Sequence, residues 1–496
     1  MICILKKYKK QGDGVRTGGR GMNKDLSGIL DFEKINARLF DFLDQSPVPF
    51  FAVSNMKTAL KEAGFTELCE NAHWELEAGG AYFVTRSDSA LIAFRIPRKD
   101  FTGFQIMASH CDSPVFKIKP NADITVENRY VKLNVEKYGG SLYAPWLDRP
   151  LSVAGRVIVE TDDGIETRLI NIDRDLLIIP NLAIHFNRGI NDGYKFNVQK
   201  DMLPLLGEIS DLPDLQPDAL GESTDAGGAC GEAKGLKDRF LGLVAKEAAV
   251  SPNQILDTDL YLYCRTKACH IGIDNEYIVS GRLDDLQCAF ASLQGFLQAK
   301  PLESIAVHCV FDNEEVGSGS KQGAGGTFLS DVLHRINASL GRTEEEYLRA
   351  AASSFMVSAD NAHAVHPNHP DKSDPTNRPY LNGGIVIKYN ASQRYVTDGV
   401  SGAIFRAICK KAGVPYQTFT NRSDMPGGST LGHIAQEHVS LNAVDIGLPQ
   451  LAMHSACETA GARDTAYLIE AARVLYSGSM QSIGDGRYVL SYSEKS

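Results

Sequence analysis

The stretch SIAVHCVFDNEEVGSG, residues 304–319, begins as a nearly unbroken apolar run and stops abruptly on acids and glycines. An apolar run this short reads as a strand buried on both faces, as in the middle of a helix-covered sheet. Three more stretches share the pattern: ALIAFRI at 90–96, FQIMASH at 104–110 and SSFMVSADNAH at 353–363. Helical segments alternate with them. The arrangement predicts an α/β fold, with a mixed central sheet flanked by helices.

Outward from these strands the texture changes twice. Towards the N-terminus, DFEKINARLFDFLDQSP at 31–47 places Ile35, Leu39, Phe42 and Leu43 on one helical face and ends at a proline. A second short helix, MKTALKEAG at 56–64, is expected to be capped by Ser54 and closed by Gly64. Between Val115 and Ile255 the pieces VKLNVEKY, SVAGRVIVE and TRLINI alternate like strands, with turns at TDDGIE and NDGYK. We read residues 115–255 as a mostly β domain inserted into a catalytic domain made of 23–114 and 256–496. Within the insert, residues 212–237 are rich in Gly, Asp, Glu and Ala, lack periodicity, and read as a flexible surface loop. The basic stretch 1–22 has an apolar start too short for a secretion signal or a spanning helix, and reads as a disordered tail.

The bulk numbers narrow the function. A chain of 496 residues, 43% hydrophobic, favours two domains, and a formal net charge of −10 offers no broad basic surface. Nucleic acid and membrane are therefore poor partners. The ten cysteines are scattered without any Cys-x-x-Cys pair, as expected of reduced thiols in the cytoplasm.

The chemistry gathers just past the ends of the expected strands, where open α/β sheets hold their ligands. His110 is followed two positions later by Asp112, which suits a metal ligand whose second ring nitrogen is held by a carboxylate. Asp284 and Asp285 precede a helical pattern; the ordinary reading is a helix cap, and one of the two could still bridge metals. Glu314 and Glu315 end a buried strand and are followed by glycine, so a solvated charge run explains them poorly. One could ligate a metal while the other accepts a proton from water. Asp360 stands beside His363, His366 and His369, three of the twelve histidines of the chain. His454 follows a proline-containing loop. Each place alone has a bland explanation, but jointly they would leave many buried polar groups without partners.

In this order the motifs SHCDSP, GRLDDL, FDNEEVGS, SADNAHAVHPNHP, IKYNASQRY, NRSDMPGGSTLG and MHSACE resemble the aspartyl aminopeptidases. These are dodecameric di-zinc metallopeptidases that include the vacuolar aminopeptidase of yeast, and the likeness covers essentially everything after Met22. It implies a zinc-peptidase-like fold and two divalent ions per subunit, zinc with manganese or cobalt as alternatives. It makes His110, Asp284, Glu315, Asp360 and His454 the metal ligands, with Asp284 bridging, Glu314 the general base and Asp112 the residue that orients His110. Asp285 stands where relatives often carry asparagine, so either aspartate is a candidate bridge. The resemblance also places His363 near the substrate and sets Lys388 against an acidic N-terminal side chain. His185 would reach a neighbouring subunit's site, making the insert a dimerisation element and a lid. The implied substrates are peptides with a free N-terminus. Other readings are a leucine-preferring or broad aminopeptidase of the same fold, a catalytically dead assembly or cargo protein, and an amidohydrolase acting on acylated amino acids.

Overall fold

The computed structural model describes residues 30–209, 239–428 and 430–492. The expected tail at 1–22 and the expected loop at 212–237 lie outside the described residues. A nine-stranded mixed sheet forms the centre. Its middle strands, in spatial order Ile305–Phe311, Phe104–His110, Phe355–Ala359 and Asn442–Gly447, run parallel. Ala90–Arg95 and Ile385–Tyr389 flank this block antiparallel to it. Every residue of Phe104–His110 and Ile305–Phe311 is buried, as required of strands covered by helices on both faces.

The helices Leu283–Gln298, Gly399–Ala412 and Asp464–Ser477 contribute to the core on one face. Phe328–Ser339 and Glu344–Ala352 contribute to the core on the other. Gly295 lets Leu283–Gln298 cross Asp464–Ser477 closely, since a Cβ there would lie 2.7 Å from the carbonyl oxygen of Ile469. Near the N-terminus, Asp31 caps Phe32–Gln45 by accepting from the Lys34 amide at 3.0 Å. The second helix departs from expectation. It spans Pro49–Glu62, so Ser54 lies inside it rather than at its cap. Pro49, with its φ preset and no N–H to satisfy, starts the helix a turn and a half before the serine.

Residues from Val115 onward build a second, six-stranded sheet. Its strands include Val115–Val126, Tyr130–Tyr138, Leu151–Thr161 and Gly164–Asn171, with Ile255–Cys264 paired between the first and third of these. Ile255–Cys264 thus continues this sheet past the division drawn at 255 in the sequence. A separate core, including Phe116, Leu133, Val153 and Leu260, lies beneath it. A five-stranded sheet contains Tyr277–Ser280, Glu458–Gly461, Pro449–Leu451 and Ala362–His363, beside the parallel strand ends. Among the described residues, no helix is long and apolar enough to cross a membrane.

Candidate metal and active site

Adjacent parallel strands deliver His110, Glu314, Glu315 and Asp360 at their C-terminal ends. The five-stranded sheet supplies the rest: Asp284 shortly after Tyr277–Ser280, and His454 in the connection between Pro449–Leu451 and Glu458–Gly461. The side chains converge. His110 Nε2 lies 3.6 Å from Asp284 Oδ1, while His454 Nε2 lies 3.4 Å from both Asp284 Oδ2 and Glu315 Oε2. Potential ligand atoms of His110, Asp284 and Asp360 fall within 4.8 Å of one another, as do those of Asp284, Glu315 and His454. Asp284 belongs to both groups. His110, Glu314 and Glu315 form a further group within the same distance.

The backs of the imidazoles are held. His454 Nδ1 is 2.9 Å from the carbonyl oxygen of Gly140, which leaves Nε2 to face the carboxylates. His110 Nδ1 faces Asp112, 3.1 Å from its carbonyl oxygen and 3.4 Å from Oδ1. Asp112 is buried and also accepts from the Glu314 and Glu315 amides, each at 3.1 Å. The two aspartates before the helix take different tasks. Asp284 faces the imidazoles, whereas Asp285 Oδ2 accepts from the His110 amide at 3.2 Å instead of capping the helix.

Electrostatically the site has too many acids for its own cations. Asp112, Asp284, Asp285, Asp360 and Glu458 are buried around His110 and Lys388, with Glu314 and Glu315 half-buried beside them. Burial pushes Glu314 up to about 7 and Glu458 up to about 8, and it raises Glu315, Asp285 and Asp360 as well. Burial opposes ionisation of Asp284 too, but His110 and His454 hold its carboxyl well below the usual range. Asp284 Oδ1 and Glu315 Oε1 are buried without a hydrogen-bond partner. Orphaned oxygens on carboxylates that face imidazole nitrogens fit divalent cations.

A cleft of about 200 Å³ opens over this centre, lined among others by Glu314, His363, Lys388, Tyr395 and Phe419. Lys388 is buried, donates to the Asn361 carbonyl at 3.0 Å and lies 3.7 Å from Asp360 Oδ1. His185 is exposed and does not line the cleft of its own chain.

A sequence model of the aminopeptidase I zinc metalloprotease family, M18, matches residues 42–476. The chain belongs to this family. The M18 chain is 46% identical to an M18 family aminopeptidase 2 of Clostridium acetobutylicum, over 91% of its own length and 100% of the relative's. Among solved structures, a chain of the Ape4 and Nbr1 complex superposes with a TM-score of 0.83 at 36% identity, over 90% of this chain and 86% of that one. The mApe1 of Chaetomium thermophilum superposes with a TM-score of 0.77 at 30% identity, over 90% and 97%. The protein is thus an aminopeptidase of a zinc metalloprotease family with a mixed α/β fold.

Sequence reasoning missed several supports of this M18 site. Glu458 accepts from the His454 amide at 2.7 Å and the Asp284 amide at 3.1 Å, tying two predicted ligands together. Its place four residues after His454 was the available signal. Gly140 acts through its carbonyl and Tyr138 through its hydroxyl, 2.8 Å from Asp112 Oδ2. Neither stands out in an alternating strand and its following turn.

Proposed function

We propose that this M18 aminopeptidase holds two divalent cations per chain and removes single residues from peptides with a free N-terminus, aspartate and glutamate before others. One observation carries the reading: Asp284 is shared by two groups of potential ligands, one with His110 and Asp360, the other with Glu315 and His454. A carboxylate placed between two clusters suits a bridge. Two imidazoles and three carboxylates without a thiolate suit zinc, with manganese and cobalt as alternatives. Such ions, when bound, supply Lewis-acid polarisation of the scissile carbonyl and lower the pKa of water.

The chain's own residues do the rest. Glu314 lines the cleft and takes the proton from the attacking water, then passes it to the leaving amine. Burial raises its carboxyl above the usual range, the direction that a proton acceptor in this exchange needs. Asp112 holds His110 from behind. Excess carboxylate around the centre favours a substrate's free α-ammonium, which restricts cleavage to the terminal residue. His363 borders the substrate, and Lys388, in the same cleft, offers a charge-assisted hydrogen bond to an acidic side chain.

The same reading divides the chain into a catalytic part, 23–114 with 256–496, and an inserted part, 115–255, whose sheet extends through Cys264. His185 of one subunit completes the site of a neighbour. Exposed Leu182, Ile184 and Phe186 around it, the last 80% exposed, support a role of this segment in dimers that build a dodecamer. The free thiols Cys69, Cys111, Cys264, Cys269, Cys288, Cys309, Cys409 and Cys457 support a cytoplasmic location.

Specificity is tested by kcat/KM on aspartyl and leucyl anilides. The aspartyl substrate should be preferred by at least about tenfold, and Lys388→Met should erase the preference mainly through KM, as loss of a charged contact worth roughly 1.5–3 kcal/mol requires. Faster turnover of the leucyl anilide by the wild type would end the claim of acidic preference.

A further inference from the structure

Tyr138 ends the strand Tyr130–Tyr138 of the six-stranded sheet, yet its hydroxyl reaches the catalytic centre. It donates to Asp112 Oδ2 at 2.8 Å and accepts from Asn313 Nδ2 at 2.9 Å. The ring is steadied by an edge-to-face contact with Tyr261, centroids 5.8 Å apart, on the same sheet. Asp112 in turn touches the His110 ring and accepts from the amides of Glu314 and Glu315. One hydroxyl therefore bears on the carboxylate that faces a ligand histidine and fixes the turn carrying both glutamates.

We infer that Tyr138 is a positioning residue: by fixing the Asp112 carboxylate it sets His110, Glu314 and Glu315, and it couples the placement of the inserted sheet to the metal centre. The inference rests on the reading of those residues as ligands and base. Without the hydroxyl, Asp112 Oδ2 keeps the Glu315 amide as its donor while Asn313 Nδ2 loses an acceptor. A carboxylate held by fewer donors rotates more freely, and the imidazole behind it follows. Burial, with Asp112 and Asp312 nearby, pushes the Tyr138 hydroxyl far above the usual phenol range, so it stays a donor throughout the working pH.

Tyr138→Phe keeps the ring and removes the oxygen, and the full chain is used. Zinc affinity is read by competition with a chromogenic chelator on metal-stripped protein, alongside kcat and KM on the aspartyl anilide. The variant should bind zinc about 10–100-fold more weakly, the usual effect of losing an outer partner of a metal ligand. At saturating zinc, kcat should fall with KM within about twofold of wild type. In an Asp112→Asn background the same substitution should have less than about a third of its effect, because both act on one contact. Zinc affinity and kcat within twofold of wild type overturn the inference, as does an undiminished effect in the Asp112→Asn background. A wild-type chain that takes up no zinc overturns the underlying reading as well; normal wild-type uptake with an unaffected variant overturns the inference alone.

Discussion

Glu314 and His454 divide the proposed chemistry between a proton acceptor and a ligand, and two substitutions separate them. Glu314→Gln should keep zinc near the wild-type level while kcat falls by about 10²–10⁴, the usual worth of a positioned general base. His454→Ala should lose zinc together with activity, because its Nε2 faces both Asp284 and Glu315. Atomic absorption on dialysed protein reads both, and equal metal loss would show ligand and base to be wrongly divided. His110, Asp284, Glu315, Asp360 and His454 were legible in the sequence because acids and histidines stood at the ends of apolar runs or in short motifs that recur in one family. Tyr138 and Gly140 were not, because their work is done across segments far apart in the chain or through a main-chain carbonyl that no residue type announces. Glu458 stands in the MHSACE motif, but its hold on the Asp284 amide, 174 positions away, does not show there. Asp285 read as a helix cap or a bridge between metals, and neither reading reaches its partner, the His110 amide 175 positions away.

Among the elements, Ile305–Phe311 shows how far periodicity reaches. Its unbroken burial was readable from its apolar run, as were its parallel companions Phe104–His110 and Phe355–Ala359. Asn442–Gly447, interrupted by Asp445, carries no such run, and Ala90–Arg95, which has one, lies antiparallel. Competing start signals were harder, as Pro49 and Ser54 show. This strand also hides a titratable group. His308 is fully buried, with Nδ1 2.8 Å from Ser292 Oγ, which is itself 2.8 Å from Tyr476 Oη, and its ring stacks on Phe296. Burial drops its pKa to about 3. Below about 6.5 the unfolded chain gains a proton that the folded strand refuses, so stability falls as pH falls from there towards 3. Between pH 7 and 5 this costs about 2 kcal/mol. Denaturant unfolding of metal-stripped protein should show a smaller loss over that interval for His308→Asn than for wild type. Equal losses would mean that this histidine does not resist protonation in the fold.

At the scale of the whole molecule, two sheets with separate cores meet at the proposed metal centre. The Gly140 carbonyl faces His454, the Leu142 amide donates to the His454 carbonyl at 3.0 Å, and Tyr138 reaches Asp112. Gly139 makes the approach possible: its φ is +74°, and a Cβ on it would lie 3.1 Å from Glu315 Cβ. A centre whose candidate ligands come from the nine- and five-stranded sheets, with supports reaching in from the six-stranded one, explains why alternation could reveal the inserted sheet but not its bearing on the chemistry. The account depends on a pair of cations sharing Asp284, and equilibrium dialysis of metal-stripped protein against zinc tests this most directly. Wild type should take up two zinc ions per chain, and Asp284→Asn should weaken both. Saturation at one ion per chain, undisturbed by Asp284→Asn, would contradict it.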